Sequence, residues 1–389
     1  MEENKISDAQ SVDSGSDPSM ERRSFLKATG IVGTAAAVSG QGAAFISSSG
    51  QRESSESYTV ESTPETVDWG GFDPSRDPVL EIESGDTVTI ETVTIPRDNH
   101  EQFLLNEGIA QEDILEDEVT VKEEVPYTGP GPHVVTGPIY VNDAEPGDIL
   151  EVHVSNIEFR APYGINLFVP NAGALPEEFP WSETHAVPFD LDAGVAEFVD
   201  DIEIPLDPFF GIMAVSPTPS AGRTSTGPPD YFGGNMDLRQ LGVGTSIYFP
   251  VNADGALFWA GDGHAAQGNG EICVTAAETS LTGTFEFTLH KTDARLDWPV
   301  AETDSHYITM GINQDLDEAM KHAVRETLSF LVGQKGLDAA DAYRLASMAI
   351  DFNISQVVDG NEGIHAMIPK SLFGDGGGDI DPAALDERF

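Results

Sequence analysis

Only one cysteine, Cys273, occurs in the 389 residues, so the chain can close no disulfide within itself. A blue-copper centre is excluded too, because it needs a cysteine closely followed by a histidine, and the next histidine after Cys273 is His290. Basic residues are scarce: 19 Lys plus Arg face 67 Asp plus Glu, for a net charge of −48. Such a chain repels phosphates, which removes nucleic acid as a partner. Long apolar runs are missing as well. A membrane-spanning helix needs about 20 consecutive apolar residues, and the one candidate, residues 28–44, is short and broken by glycine. No nucleophile-elbow pattern surrounds the candidate nucleophiles Ser225, Thr226 and Cys273.

What the chain has in excess is acid, spread along its whole length rather than gathered in a tail. With 39% apolar residues it is not a disordered polyanion. The composition suits a protein kept soluble at very high salt, where repulsion is screened within roughly 3 Å at 1 M, and an extreme halophile is the expected source. Near the start, Arg22-Arg23-Ser24-Phe25-Leu26-Lys27 precedes the weakly apolar run, the pattern of a twin-arginine export signal. Residues 1–50 are therefore set apart from the fold. A soluble protein, outside the cell or at its surface and with no stable membrane insertion, is expected.

Residues 51–78 are rich in Ser and Glu at their start and read as a linker. From Val79 apolar residues alternate with period two around Ser84-Gly85-Asp86. The phrase returns at Glu145-Pro146-Gly147-Asp148, followed by Ile149, Leu150, Val152 and Val154, as a duplicated strand–turn–strand hairpin unit. Residues 112–124 are acidic and expected to be exposed, and 168–188 form a long loop. Leu316, Ala319, Met320, Ala323, Leu328 and Leu331 fall at helical spacing after a capping Asp315, and a second helix is expected over 338–352, with strands at 353–358 and 363–369. The expected fold is mostly β, of antiparallel sandwich or barrel units, with a C-terminal helical pair: β/α mixed. A catalytic domain over 79–373 divides into a sandwich (79–200) and a site-bearing part (201–373), before a disordered tail at 374–389.

The chemistry concentrates between Gly255 and Glu278. Ala256 to Trp259 reads as a buried strand, and Ile272 to Ala277 as a second one. The loop between them carries Asp262, His264, Gln267, Asn269 and Glu271 among glycines that let a ligand approach the backbone. Two carboxylates and an imidazole can hold a divalent ion and leave a position open for water. They can equally work without metal, Glu271 as base and His264 as acid. A second glycine-flanked polar phrase, Gly233-Gly234-Asn235-Met236-Asp237, lies upstream.

With these pieces in order the sequence resembles the acetamidase/formamidase family. The phrases that carry the resemblance are Thr136-Gly137-Pro138-Ile139-Tyr140-Val141, Ala144 to Asp148, Gly233 to Asp237, Gly255 to Phe258, Gly261 to Gly268, Gly270 to Cys273, Asp315 to Met320 and Ile354 to Val358. They span roughly residues 79–373. The sequence departs from the family at Asn269, where Asp is usual, and at Val274 to Glu278. The resemblance implies hydrolysis of short linear aliphatic amides to a carboxylate and ammonia, with a divalent metal ion, zinc being the expected one. On that reading Asp262, His264, Asp237 and Glu271 are the metal ligands. Glu271 and His264 serve proton transfer, and Asn235 and Gln267 donate to the developing oxyanion. His133 is a further candidate ligand, but a solvated turn histidine is the favoured reading. His100, His153, His185 and His365 are taken as structural. The alternative is an exported metal- or ligand-binding sandwich without amidase activity. The substrate partner is a small amide, and self-association into a homo-oligomer is compatible with all of this.

Overall fold

The computed structural model describes residues 55–94 and 98–385. The paired arginines Arg22 and Arg23 lie outside the described residues. Two open sheets dominate a mixed α/β fold. One has nine strands, running in space from Ser57–Val60 through Thr87–Glu91, Leu281–His290 and Ile149–Phe159 to Glu362–Pro369 and Asp351–Ile354. The other has eleven and includes Val134–Val141, Tyr163–Phe168, Phe209–Ala214, Gly233–Asn235, Phe258–His264 and Glu278–Thr279. Their apolar faces share one core, in which Val88, Val152 and Phe285 of the first sheet join Ile139, Ile212 and Phe258 of the second.

The duplicated Gly-Asp phrase makes the same turn twice. Gly85 and Gly147 take φ of 102° and 104°, a region open to glycine at little cost. Asp86 and Asp148 each accept the backbone N–H three residues back, at 2.9 and 2.8 Å. Neither turn closes a hairpin, however. Each carries the chain from the eleven-stranded sheet to the nine-stranded one, from Leu80–Ile82 to Thr87–Glu91 and from Val134–Val141 to Ile149–Phe159. Period-two alternation and a turn specify two strands, but not whether they pair with each other.

The stretch read as a linker is folded from Ser57. Ser57–Val60 runs parallel to Thr87–Glu91, and Val67–Trp69 pairs with Val134–Val141. Val67, Trp69 and Phe72 are buried, so three apolar side chains outweigh the polar composition around them. Strand pairing crosses residue 200, since Leu281–His290 pairs with both Ile149–Phe159 and Thr87–Glu91. Within the acidic segment, Glu116–Glu124 is a helix whose Glu118 is fully buried. That carboxylate accepts hydrogen bonds from Tyr163 and Ser280 and pairs with His100 at 2.7 Å. Part of the expected 168–188 loop is strand, since Glu183–Asp190 pairs with Tyr163–Phe168. The tail also docks: Ile380 is buried, and Tyr307 and Lys335 bond the carbonyl of Gly377.

The helical pair matches the sequence pattern. Asp315 caps Leu316–Lys335 by accepting from Asp317 N and Glu318 N, and Asp338 caps Ala339–Ala349 in the same way. The second helix is shorter than expected, because residues 351–354 join the sheet as an edge strand. The first helix lies on strand His306–Asn313, where Gly311 has no Cβ to keep it off. A Cβ there would stand 2.1 Å from Ala323 N and 2.2 Å from Ala319 O. No helix among the described residues is long and apolar enough to cross a membrane.

Because those contacts are helix backbone, which cannot rotate away, Gly311→Ala should destabilise the protein by about 1–3 kcal/mol. A urea titration should show a lowered midpoint at unchanged slope. An unshifted midpoint would mean the helix seats elsewhere.

Candidate metal centre

Three adjacent strands of the eleven-stranded sheet build the site. Phe209–Ala214 lies between Phe258–His264 and Gly233–Asn235, all antiparallel, with Phe209 opposite His264 and Ile212 opposite both Gly261 and Asn235. On the other side of Phe258–His264, Glu278 sits directly opposite His264. Asp262 and His264 are therefore strand residues rather than loop residues. The second expected strand, 272–277, does not form: Ile272 is 66% exposed, and Cys273 lies in a turn. Polar residues among glycines resemble a loop in sequence, yet here they occupy a buried strand because the strand itself is the floor of the site.

Gly211 makes the convergence possible. Its carbonyl accepts the amides of Met236 and Asp237 at 3.0 and 3.3 Å, which turns Asp237 inward. Its missing side chain leaves the space in which the groups meet. A Cβ there would stand 2.6 Å from both Asp237 Oδ1 and Asp262 Oδ2, and 2.9 Å from His264 Cε1. The backbone is bent to serve this arrangement, since Asp237, Asp262 and Glu271 have φ of 46°, 55° and 44°. Non-glycine residues in that region cluster at functional sites.

His264 is 1% exposed. Its Nε2 lies 3.2 Å from Asp262 Oδ2, 3.1 Å from Glu278 Oε2 and 3.9 Å from Asp237 Oδ1. Its Nδ1 lies 2.8 Å from Gln267 Oε1, and Gln267 Nε2 donates to the Asp237 carbonyl at 2.8 Å. The Gln267 oxygen can only accept, so His264 donates from Nδ1 and turns Nε2 to the carboxylates. His133 repeats the pattern. Its Nδ1 donates to the Thr226 carbonyl at 2.8 Å, and its Nε2 faces Asp262 Oδ1 at 3.8 Å. It is a buried site residue rather than a solvated turn histidine. Two imidazoles anchored at Nδ1 and turned inward at Nε2 are a donor set suited to a divalent cation.

Two triads, Asp237–His264–Glu271 and Asp262–His264–Glu278, each bring one ligand atom per residue within 4.8 Å of the others. Both Asp237 carboxylate oxygens, Asn235 Oδ1 and Asp359 Oδ2 are buried without a hydrogen-bond partner. Burying a carboxylate without donors costs several kcal/mol in real proteins, of order that for any uncompensated ion. The donor set and its unpartnered oxygens therefore fit a divalent ion.

Titration behaviour points the same way. Burial pushes Asp237 and Glu271 well above the carboxylate range, and lifts Glu278 and Asp359 to about 6. Burial works against a charged His264, yet Glu278 and Asp262 raise its pKa well above the ordinary value. Asp262, against the same burial, is held low by His133 and His264.

Of the residues singled out from sequence, Asp237, Asp262, His264 and Glu271 converge. Gln267 is engaged at both ends of its amide, bracing His264 and the Asp237 backbone instead of donating to a substrate. Asn235 is buried beside the cluster with its oxygen unpaired. Sequence reasoning missed Glu278, Asp359 and Gly211. Glu278 closed the key stretch and needed only the strand pairing to reach His264. Asp359 comes from a distant turn, which the pairing of Gly270 with Gln356 brings against the site, and no local signal marks it. None of Ser225, Thr226 or Cys273 bonds an imidazole through its side chain among the described residues. His100, His153, His185 and His365 bond Glu118, Ser246, Glu107 and Ser355, away from the cluster.

Comparison with known proteins places this geometry. The model of the acetamidase/formamidase family matches residues 71–224 and 219–375. A crystal structure of a predicted acetamidase/formamidase from Thermoanaerobacter tengcongensis is 27% identical, covers 84% of this chain and 100% of that one, and superposes with a TM-score of 0.70. An acetamidase from Bacillus halodurans is 27% identical, covers 82% and 100% of the two chains, and has a TM-score of 0.67. A formamidase of Methylophilus methylotrophus is 29% identical over 196 residues, 37% of this chain. The match spans about half of that relative, 48% of its length.

The buried acids make stability depend on pH in a fixed direction. Folding favours their protonated forms, so this contribution is present below the unfolded carboxylate pKa of about 4. It is lost as pH rises through 6 and beyond. The raised His264 acts in the same direction, and Asp262 is ionised throughout. Metal-free protein should lose on the order of 5 °C in Tm between about pH 5 and about pH 8. Zinc should restore the Tm at the upper pH, and the double variant Asp237→Asn, Glu271→Gln should flatten the slope. A metal-free Tm that rises over this range would contradict the assignment.

Proposed function

This chain belongs to the acetamidase/formamidase family, and from that premise we propose that it hydrolyses linear primary amides to a carboxylate and ammonia. The observation that carries the reading is the pair of imidazoles fixed at Nδ1 and turned by Nε2 into one buried acid cluster, beside the partnerless carboxylate of Asp237, within the family-matched span. Asp237, His264 and Glu271 would hold a divalent ion, zinc in our reading, with Asp262, Glu278 and His133 around them. When bound, the ion supplies a Lewis acid that polarises the amide carbonyl and acidifies water.

The remaining steps fall to the chain's own residues. Glu271 has its pKa raised by burial and lines an open cleft, so it can take a proton from water and hand it to the departing nitrogen. That return matters because an amine leaves poorly unless it is protonated. His264, held by Gln267, stabilises the anionic cluster, and Asn235 orients the substrate amide. Gly211 leaves room for the assembly. The sequence reading of twin-arginine export into a high-salt exterior stays part of this proposal, with the acidic surface keeping the exported protein hydrated.

The deciding experiment measures ammonia release from a panel of primary amides, formamide and acetamide among them, at high salt on zinc-loaded protein. Glu271→Gln should lower kcat by roughly 10²–10⁴-fold. His264→Ala should lose bound zinc and activity together. A zinc-loaded wild type inert on every amide would leave a binding protein in place of the hydrolase.

A further inference from the structure

Glu271 faces two ways. On one side it meets the buried cluster; on the other it lines an open cleft of about 670 Å³. Gln267 joins it at the polar end of that cleft. The walls are apolar, built from Val187, Ala196, Phe198, Ile204, Ile272 and Ala277. Apart from Glu271, the charged side chains lining it, Asp207 and Arg239, are exposed to solvent. Phe198 and Ile272 are 49% and 66% exposed, an apolar rim on a chain that carries −48 charges.

The wall has a separate origin from the chemistry. Ala196 and Ile204 lie on a small hairpin, Val195–Glu197 with Glu203–Pro205, that extends the sheet beyond Glu183–Asp190. None of its strands contributes a residue to the cluster. A formamide or acetamide molecule would occupy only a corner of this space, whereas clefts of about 300–1,000 Å³ suit ligands of drug-like size.

Resting on the amide-hydrolase reading, we propose that the substrates served best are primary amides with an extended apolar acyl chain, the amide at Glu271 and the chain along the wall of Phe198, Ile204 and Ile272. Each methylene taken from water is worth a factor of about 4 when fully buried. In an open cleft the longer chain of hexanamide should still gain about ten-fold or more over acetamide in kcat/KM.

The test compares hexanamide with acetamide on zinc-loaded wild type, Ile204→Asp and the milder surface variant Phe198→Ser. Calorimetric binding of hexanoate and acetate to each is measured alongside. The proposal expects the wild-type preference of about ten-fold, a ratio falling toward one in both variants, and hexanoate bound at least about ten-fold tighter than acetate. Equal kcat/KM for the two amides overturns it, as does a preference that neither variant moves. If no amide is turned over, the hydrolase reading fails separately, and calorimetry still decides the cleft: hexanoate bound no better than acetate removes it, and tight binding lost in Ile204→Asp upholds it.

Discussion

The site depends on one electrostatic constraint. Asp237, Asp262, Glu271 and Glu278 are buried together with one oxygen of the half-buried Asp359, and among the described residues the imidazoles of His264 and His133 face them. In a medium of low dielectric, like charges repel far more strongly than at the surface. The cluster can exist only with protons on several carboxyls or with a cation among them. The imidazole anchoring serves both, because both Nδ1 atoms are spent on fixed carbonyl oxygens and both Nε2 atoms point inward.

The constraint reaches into the backbone. Three of the acids sit in the left-handed region, at a cost of order 1–3 kcal/mol each, and the surrounding fold has to hold them there. Gly211 O fixes the turn into Asp237, strand pairing on both sides fixes Asp262, and the Gly270–Gln356 bridge fixes the turn at Glu271. This explains why the clustered side chains come from strands of one sheet and from a loop pinned to a distant turn. Positions on pinned backbone hold a geometry that a free hairpin tip would not. It also separates two populations of acid in a very acidic chain. Surface carboxylates are hydrated and screened by salt, while those of the site answer only to their buried neighbours.

What could be read from the sequence follows from which signals are local. The helices were legible because a capping aspartate and a 3.6-residue period are properties of a short segment, and Asp315 and Asp338 carry both. The three acids and the imidazole of the two glycine-flanked phrases were legible because they fall within short segments that also carry the family resemblance. Other features depend on pairing. The Gly85-Asp86 and Gly147-Asp148 turns have the expected local geometry, yet they join strands of different sheets, which no turn residue encodes. Asp262 and His264 looked like loop residues because burial in a cluster of polar groups reverses the usual link between polarity and exposure. Glu278 required the strand register, and Asp359 required the Gly270–Gln356 contact, across a long stretch of chain.

Gly211 takes the argument one step further. Its segment, Phe209 to Ala214, is fully buried, and in sequence it is an ordinary apolar strand with one weak residue in it. Glycine inside a strand lowers β-propensity and packs nothing, so its presence calls for a close approach by something else. Here two carboxylate oxygens and an imidazole carbon fill the volume a Cβ would take. A methyl group at this position would not remove a ligand, change a charge or alter a hydrogen bond donor. It would push Asp237, Asp262 and His264 apart, and the inward-facing Nε2 would then have no common point to share with the acids. The donor atoms define the chemistry of the site, but the absent side chain defines whether they meet.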